Sequence, residues 1–225
     1  MSVSGKLLAL RRKIAEQGVA GALGIALRAL WQSAFDRDEI LFSLALPSYR
    51  RPPGLDAAGA RVRRIAAAGE LSRDDDDALR AYGGADYVAS FHDRLARGWV
   101  LFLVDLGGRP AGGGWVLGSG AGIPSRVVPI LPGDVTIIDC FTFPECRGRG
   151  AYPALLAAIA EYARDAGGLR AFIFTRRHND ASLRGIAKAG FAPVLVYQTL
   201  AFGRSELVRW KRAVRDGDLP RERRD

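Results

Sequence analysis

The run Cys146-Arg147-Gly148-Arg149-Gly150-Ala151 sets two glycines and two arginines between an apolar strand pattern, Val135 to Phe143, and an apolar helix pattern. The helix pattern carries Leu155, Leu156, Ile159 and Ala163 at helical spacing. A strand, a glycine-bearing loop and a helix N-terminus together make an anion site. The first amides of the helix are free, the helix dipole favours negative charge, and glycine lets a phosphate approach the backbone. Arg147 and Arg149 add charge-assisted contacts. A tight strand-to-helix turn with solvated arginines satisfies the same residues, so the loop alone leaves both readings open. No Gly-Lys-Ser/Thr follows the glycines, which excludes a nucleotide-triphosphate loop. The three-glycine dinucleotide fingerprint with its acidic partner is also absent.

One carboxylate, Asp139, stands inside the strand pattern that leads to the loop. Period-two alternation places Ile137, Asp139, Phe141 and Phe143 on one face, so a lone acid among apolar neighbours is expected. Burial there would raise its pKa toward the range of a general base. A buried aspartate holding a backbone or arginine partner fits the same pattern. Cys140 faces away from Asp139 and reads as a small core residue rather than a nucleophile. Cys146 in the loop reads as incidental, although an exposed thiol beside two arginines would be reactive. Asn179 precedes a helix pattern and suits its N-cap.

These residues need elements to hold them. Strand patterns occur at 40–46, 60–65, 135–143, 169–175 and 193–202, and helix patterns at 85–97, 150–163 and 180–189. A hairpin joins 99–106 to 111–117 around Gly107-Gly108. Asp74 to Asp77 sit where a helix starts after Ser72. Consecutive acids on a helix point in different directions, so the run reads as a solvated capping turn rather than a metal cluster. Gly118 to Pro132 is a loop rich in glycine and proline. Lys6 to Phe35 reads as a long amphipathic helix, with arginines on one face and Leu/Trp on the other. Its longest apolar run falls far short of the about twenty residues that span a bilayer. It suits packing on the domain, on a second copy in a homodimer, or peripherally on a membrane surface.

The chain has 225 residues, 48% hydrophobic and 25% charged, and can bury a proper core. Two cysteines and two histidines give neither a disulfide framework nor a metal site, so no metal and a reducing, cytoplasmic setting are expected. The net charge is +9, and all of the 33 basic residues except Lys6, Lys13, Lys188 and Lys211 are arginines scattered along the chain. Nucleic-acid binding would want a clustered basic face with interleaved aromatics, so no nucleic-acid partner is expected. A positive field that draws in a polyanionic cofactor fits better.

The loop resembles the pyrophosphate loop of the GNAT acetyltransferases, whose motif reads Arg/Gln-x-x-Gly-x-Gly/Ala, with Arg147 and Gly150 in its first two defined slots. The stretches FTFPECRGRG and HNDASLRGIAKAGF are similar to further passages of that family, in the right order and spacing. The resemblance implies an α/β fold: a mixed, mostly antiparallel central sheet flanked by helices, here with an extra N-terminal helix. The resemblance covers an acyltransferase domain over 60–202; outside it lie an N-terminal helical extension with strand and linker (1–59) and an expected C-terminal helix with basic tail (203–225). It implies an N-acetyltransferase moving acetyl from acetyl-CoA to the primary amine of a small molecule, an amino sugar or amino acid derivative. It implies cofactor contacts from Phe141 and Phe143 backbone groups, from Arg147, Gly148, Arg149, Gly150 and Ala151, and from Asn179. Asp139 becomes the candidate base. Two departures stand out. Tyr152 occupies the last small-residue slot, and Ile186 falls where the family's proton-donating tyrosine commonly lies. Tyr152 and Tyr197 are the candidate replacements. A catalytically weak CoA-binding sensor of the same fold is the alternative that Ile186 suggests. The acceptor pocket is expected from 74–97, Trp115 and the loop 118–132, with Tyr82, Tyr87, His92 and Trp115 as candidate contacts.

Overall fold

The structure is a computed structural model, and it describes residues 37–55, 59–118, 127–202, 205–215 and 218–219. The expected helix over Lys6–Phe35 and most of the loop after Gly118 lie outside the described residues. The strands are β1 (Arg37–Ala45), β2 (Ala60–Ile65), β3 (Val100–Leu106), β4 (Arg109–Gly118), β5 (Asp134–Thr142), β6 (Arg170–Arg176), β7 (Ala192–Phe202) and β8 (Ser205–Ala213). The helices are α1 (Arg73–Gly83), α2 (Ala85–Ala96), α3 (Ala151–Asp165) and α4 (Asp180–Lys188). The strands form one sheet in the order β2-β3-β4-β5-β6-β1-β7-β8. The β2-to-β5 meander and the β1/β6 pair are antiparallel, and β5/β6 is parallel. This is the mixed, mostly antiparallel architecture the resemblance implies.

The chain divides into two compact units, one of 1–38 with 197–211 and one of 39–196 with 212–225. In the first, Gln198 donates to Asp38 Oδ1 at 2.9 Å and accepts from Trp210 Nε1 at 3.1 Å. A C-terminal helix was expected beyond Phe202, but 205–213 is strand β8. Backbone pairing on the edge of β7 supplies the hydrogen bonds, and such a long-range partner overrides weak local preference.

In the second unit α3 supplies the core, with Leu155, Leu156, Ile159 and Ala160 fully buried. Each large one contributes about 1.5–3 kcal/mol by leaving water. The acidic start of α1 is only partly solvated. Ser72 caps the helix in a reciprocal box with Asp75. Asp75 itself is buried, and Arg63 of β2 bridges it at 2.7 Å to Asp105 of β3, also at 2.7 Å. Burial alone would raise the Asp75 carboxyl, but the Arg63 and Ser72 hydrogen bonds pull it below the usual range. Thus α1 and, through the Gly84 junction, α2 are anchored to the edge of the meander.

Candidate active site

Three local events in β5 make the site. First, its parallel pairing with β6 runs from Asp134↔Arg170 to Ile137↔Ile173 and stops, although both strands continue. The two strands diverge, leaving the end of β5 with an open edge. Second, β5 bulges. Gly113 opposes Phe141 and Trp115 opposes Ile138, so Gly114 faces both Asp139 and Cys140. Asp139 takes a left-handed conformation with φ of 47°, a state in which aspartate is several-fold enriched among non-glycine residues. Third, beyond a short 3-10 turn at Pro144–Cys146, Gly148 and Gly150 have φ of 75° and 79° and turn the chain into α3.

The bulge overturns two expectations. Period-two alternation fails across it, so Asp139 is not the lone buried acid of an apolar face. Its side chain is 57% exposed and Arg94 of α2 reaches it at 2.7 Å. Phe141 and Phe143 were expected to offer backbone groups to a cofactor. Phe143 instead donates to Ala111 O of β4 at 2.9 Å, and Phe141, two residues back in the same register, also faces β4. Thr142 between them is turned to the open edge, where its carbonyl accepts from Arg147 Nε at 3.4 Å. Phe141 keeps a place on the cavity wall through its body rather than its amide.

At the divergence lies a cavity of about 580 Å³, bounded by the end of β5, the loop, the first turn of α3 and one face of α4. The α3 N-cap, Gly150, has no capping side chain, and Pro153 has no N–H to cap. The N–H groups of Gly148, Arg149, Gly150, Ala151 and Tyr152 meet no acceptor among the described residues. Arg147, Arg184 and Lys188 line the same space, and no carboxylate does. Free amides, a helix start and three unopposed cations make a strong anion site. Arg149 is exposed and lies outside this lining.

Tyr152 and Asn179 also reach the cavity. The Tyr152 ring lies against Gly185 of α4, where an added Cβ would come within 2.4 Å of it. Burial, the largest cause, holds the Tyr152 pKa well above the usual value, so it keeps its proton through the neutral range. Asn179 caps α4 by accepting from Ser182 N at 3.2 Å. Ile186 is wholly buried. The tyrosine therefore enters this wall from α3, and the missing side chain at Gly185 makes its room. Tyr197 is buried on β7 in the other compact unit.

Cys140 lines the cavity half-buried, and desolvation followed by the nearby Asp139 charge pushes its thiol up to about 12, which disfavours the thiolate a nucleophile needs. Cys146 is buried, because the 3-10 turn folds it inward, so it is not the reactive exposed thiol that the two arginines would have favoured. Of the four acceptor candidates, Tyr82 lines the cavity. Tyr87 packs on Tyr82 and Phe91 at 5.7 and 4.9 Å between centroids. His92 turns to Asp76 at 3.2 Å, and Trp115 is fully buried, its Nε1 without a partner among the described residues. Sequence reasoning passed over Arg184, Gly185 and Lys188, although positions 181, 184, 185 and 188 share one helix face and that spacing was readable. Arg94 was missed for lack of any local signal.

Residues 64–191, more than half of the chain, match the acetyltransferase (GNAT) family. No curated protein sequence matches. Among solved structures, a GCN5-related N-acetyltransferase from Sphaerobacter thermophilus is 19% identical with a TM-score of 0.50, covering 77% of this chain and 54% of its own. A GCN5-related glucosamine N-acetyltransferase region of a fungal multi-domain GH3 β-N-acetylglucosaminidase is 13% identical with a TM-score of 0.56, covering 77% of this chain and 22% of its own. The chain thus spans about half of the first and about a fifth of the second. At such identities the likeness is one of fold. Free anion-binding amides at the divergence of two parallel strands, in a mixed sheet whose residues 64–191 match the family, lead to one conclusion: the chain belongs to the GNAT acetyltransferase family.

Proposed function

We propose that this protein transfers an acetyl group from acetyl-CoA to the primary amine of a small molecule. The observation that carries the reading is the unopposed positive cavity at the β5/β6 divergence, lined by four residues with free amides (Gly148, Gly150, Ala151 and Tyr152), three cations and no carboxylate. Its size and charge fit the pyrophosphate and pantetheine of CoA. The Gly148–Tyr152 amides with Arg147, Arg184 and Lys188 would hold the phosphates. The open edge at Thr142 would pair with the pantetheine amides, and Asn179 stands at the same wall. When bound, acetyl-CoA supplies an activated acetyl group.

The chain's own residues then have two tasks. A neutral amine is needed for attack, and Asp139 at the bulge is the carboxylate placed to take its proton. A proton is needed for the departing sulfur, and Tyr152 holds one beside Cys140 on the same cavity wall. Because a high pKa makes Tyr152 a reluctant donor, its contribution is expected to be modest. No described helix is long and apolar enough to cross a membrane.

The test is calorimetric titration with CoA and acetyl-CoA, followed by thiol release in the presence of a panel of primary amines. Micromolar CoA binding with amine-dependent release is expected. No CoA binding would overturn the reading. Binding without release for any amine would favour the CoA-binding sensor, the alternative suggested by the buried Ile186 in the tyrosine slot.

A further inference from the structure

The opposite face of β5 carries a different arrangement of charge. Arg94 of α2 meets Asp139 with Nη2 to Oδ2 at 2.7 Å, and its guanidinium carbon stands 5.0 Å from the Trp99 ring centre and 5.4 Å from that of Trp115. The two rings fix the guanidinium while leaving its edge accessible, with 28% of the side chain exposed. A guanidinium has five N–H donors and one carboxylate engages two of them at most. No other described residue accepts from Arg94, so at least three of its donors are without an acceptor among the described residues. Asp139 keeps free lone pairs in the same way. Its left-handed backbone at the bulge throws the carboxylate to the α2 side, one residue from Cys140 on the cavity wall. A fixed positive group and a fixed negative group thus stand side by side where an acceptor would meet the cofactor cavity.

This arrangement discriminates between amines. A simple amine or amino sugar approaching Asp139 brings one more positive charge beside Arg94, and the repulsion is uncompensated. An acceptor with a carboxylate next to its ammonium presents the complementary pair. Its carboxylate takes the spare Arg94 donors in the planar, forked geometry that guanidinium favours, and its ammonium takes Asp139. A surface ion pair is worth little, so the Arg94–Asp139 contact loosens at small cost to admit such a ligand.

We infer that the acceptor is an amino acid, or a derivative retaining the carboxylate beside its amine, and that Arg94 is the residue that selects it. The inference rests on the acyltransferase reading and narrows it. The chemistry balances: the amine nitrogen bonds to the acetyl carbon as the carbon–sulfur bond breaks. Of the three ammonium protons, one stays on the amide, one leaves through Asp139 to solvent, and one ends on sulfur.

The experiment compares amino acids with their C-terminal amides, and with glucosamine, on the wild-type chain, Arg94→Gln and Arg94→Lys. In the wild type the free acids should be used with kcat/KM at least about ten-fold above their amides. Arg94→Gln should lower kcat/KM for the acids by about 30-fold, mainly through KM, the worth of a charge-assisted contact. The acid-to-amide ratio of kcat/KM should therefore fall at least about ten-fold in Arg94→Gln, and Arg94→Lys should recover part of that ratio. Independently of turnover, amino acid binding to the CoA-loaded protein by calorimetry should weaken by a similar factor in Arg94→Gln while the CoA Kd holds. Equal use of acids and amides, a preference for glucosamine, or an equal loss on all acceptors in Arg94→Gln would overturn the inference while leaving acetyl transfer standing. Absence of CoA binding in the wild type would overturn the transferase reading, and this inference with it.

Discussion

The two faces of β5 hold their charges in opposite ways. On the α3/α4 face three cations and a row of free amides stand without any acid, whereas on the α2 face Arg94 and Asp139 already hold one another. An unopposed field attracts polyanions of many shapes and gains affinity from net charge. A neutralised pair adds almost no net pull, and what it supplies is orientation and selection. The first face therefore suits a common carrier and the second a particular acceptor. The faces also differ in how they are built. One comes from a contiguous loop and helix start, the other from residues far apart in the chain that meet across a bulge.

The comparison can be broken from the carrier side first. Gly150→Val puts a β-branched residue at φ of 79°, a conformation costing it on the order of 1–3 kcal/mol, and turns the loop amides away. The CoA Kd measured by calorimetry should rise by about 100-fold, and an unchanged value would move the anion site off this loop. Next comes Arg184→Glu, which puts an acid on the unopposed wall. A loss of about 10-fold in CoA affinity is expected, shrinking as salt rises, with acceptor KM little changed. If acceptor KM shifts as much as the CoA Kd, the two faces are not separate in function.

A smaller effect concerns the proton on sulfur. Tyr152→Phe removes the hydroxyl, and Gly185→Ala displaces the ring it packs on. Each should lower kcat by several-fold to about 10-fold at constant CoA affinity. Two variants with wild-type kcat would leave Tyr152 a packing residue. The smallest effect tests the frame that carries α1 and α2. The Asp75 carboxyl is held below its ordinary range, so its contribution to stability is present above about pH 4 and is lost as pH falls through its folded value. Asp75→Asn should flatten the fall in unfolding free energy below about pH 4 by an amount on the order of 1 kcal/mol, and a parallel fall in both proteins would place the acid sensitivity elsewhere.

Legibility followed the same division. The loop, the cap at Asn179, the hairpin at Gly107-Gly108 and the strand-helix alternation are signals within a few residues of one another, and the structure places each where expected. The faces of β5 were not legible, because one extra residue opposite Gly114 reverses every side chain and amide beyond it. This is why Thr142 rather than Phe141 or Phe143 turns to the open edge, and why Asp139 is exposed. Strand β8 was misread as helix because its pairing partner, not its own residues, decides its form. Tyr152 looked like a flaw in the loop motif until Gly185 was seen beneath its ring.

By itself, then, the sequence determined the family-type fold and the glycine loop, since glycines, caps and hydrophobic period act through local sterics and local hydrogen bonds. Only the tertiary structure decided what faces that loop: which amides are free, where Tyr152 sits, and that Arg94 meets Asp139. Those are products of register and long-range packing, where a single inserted residue outweighs any pattern along the chain.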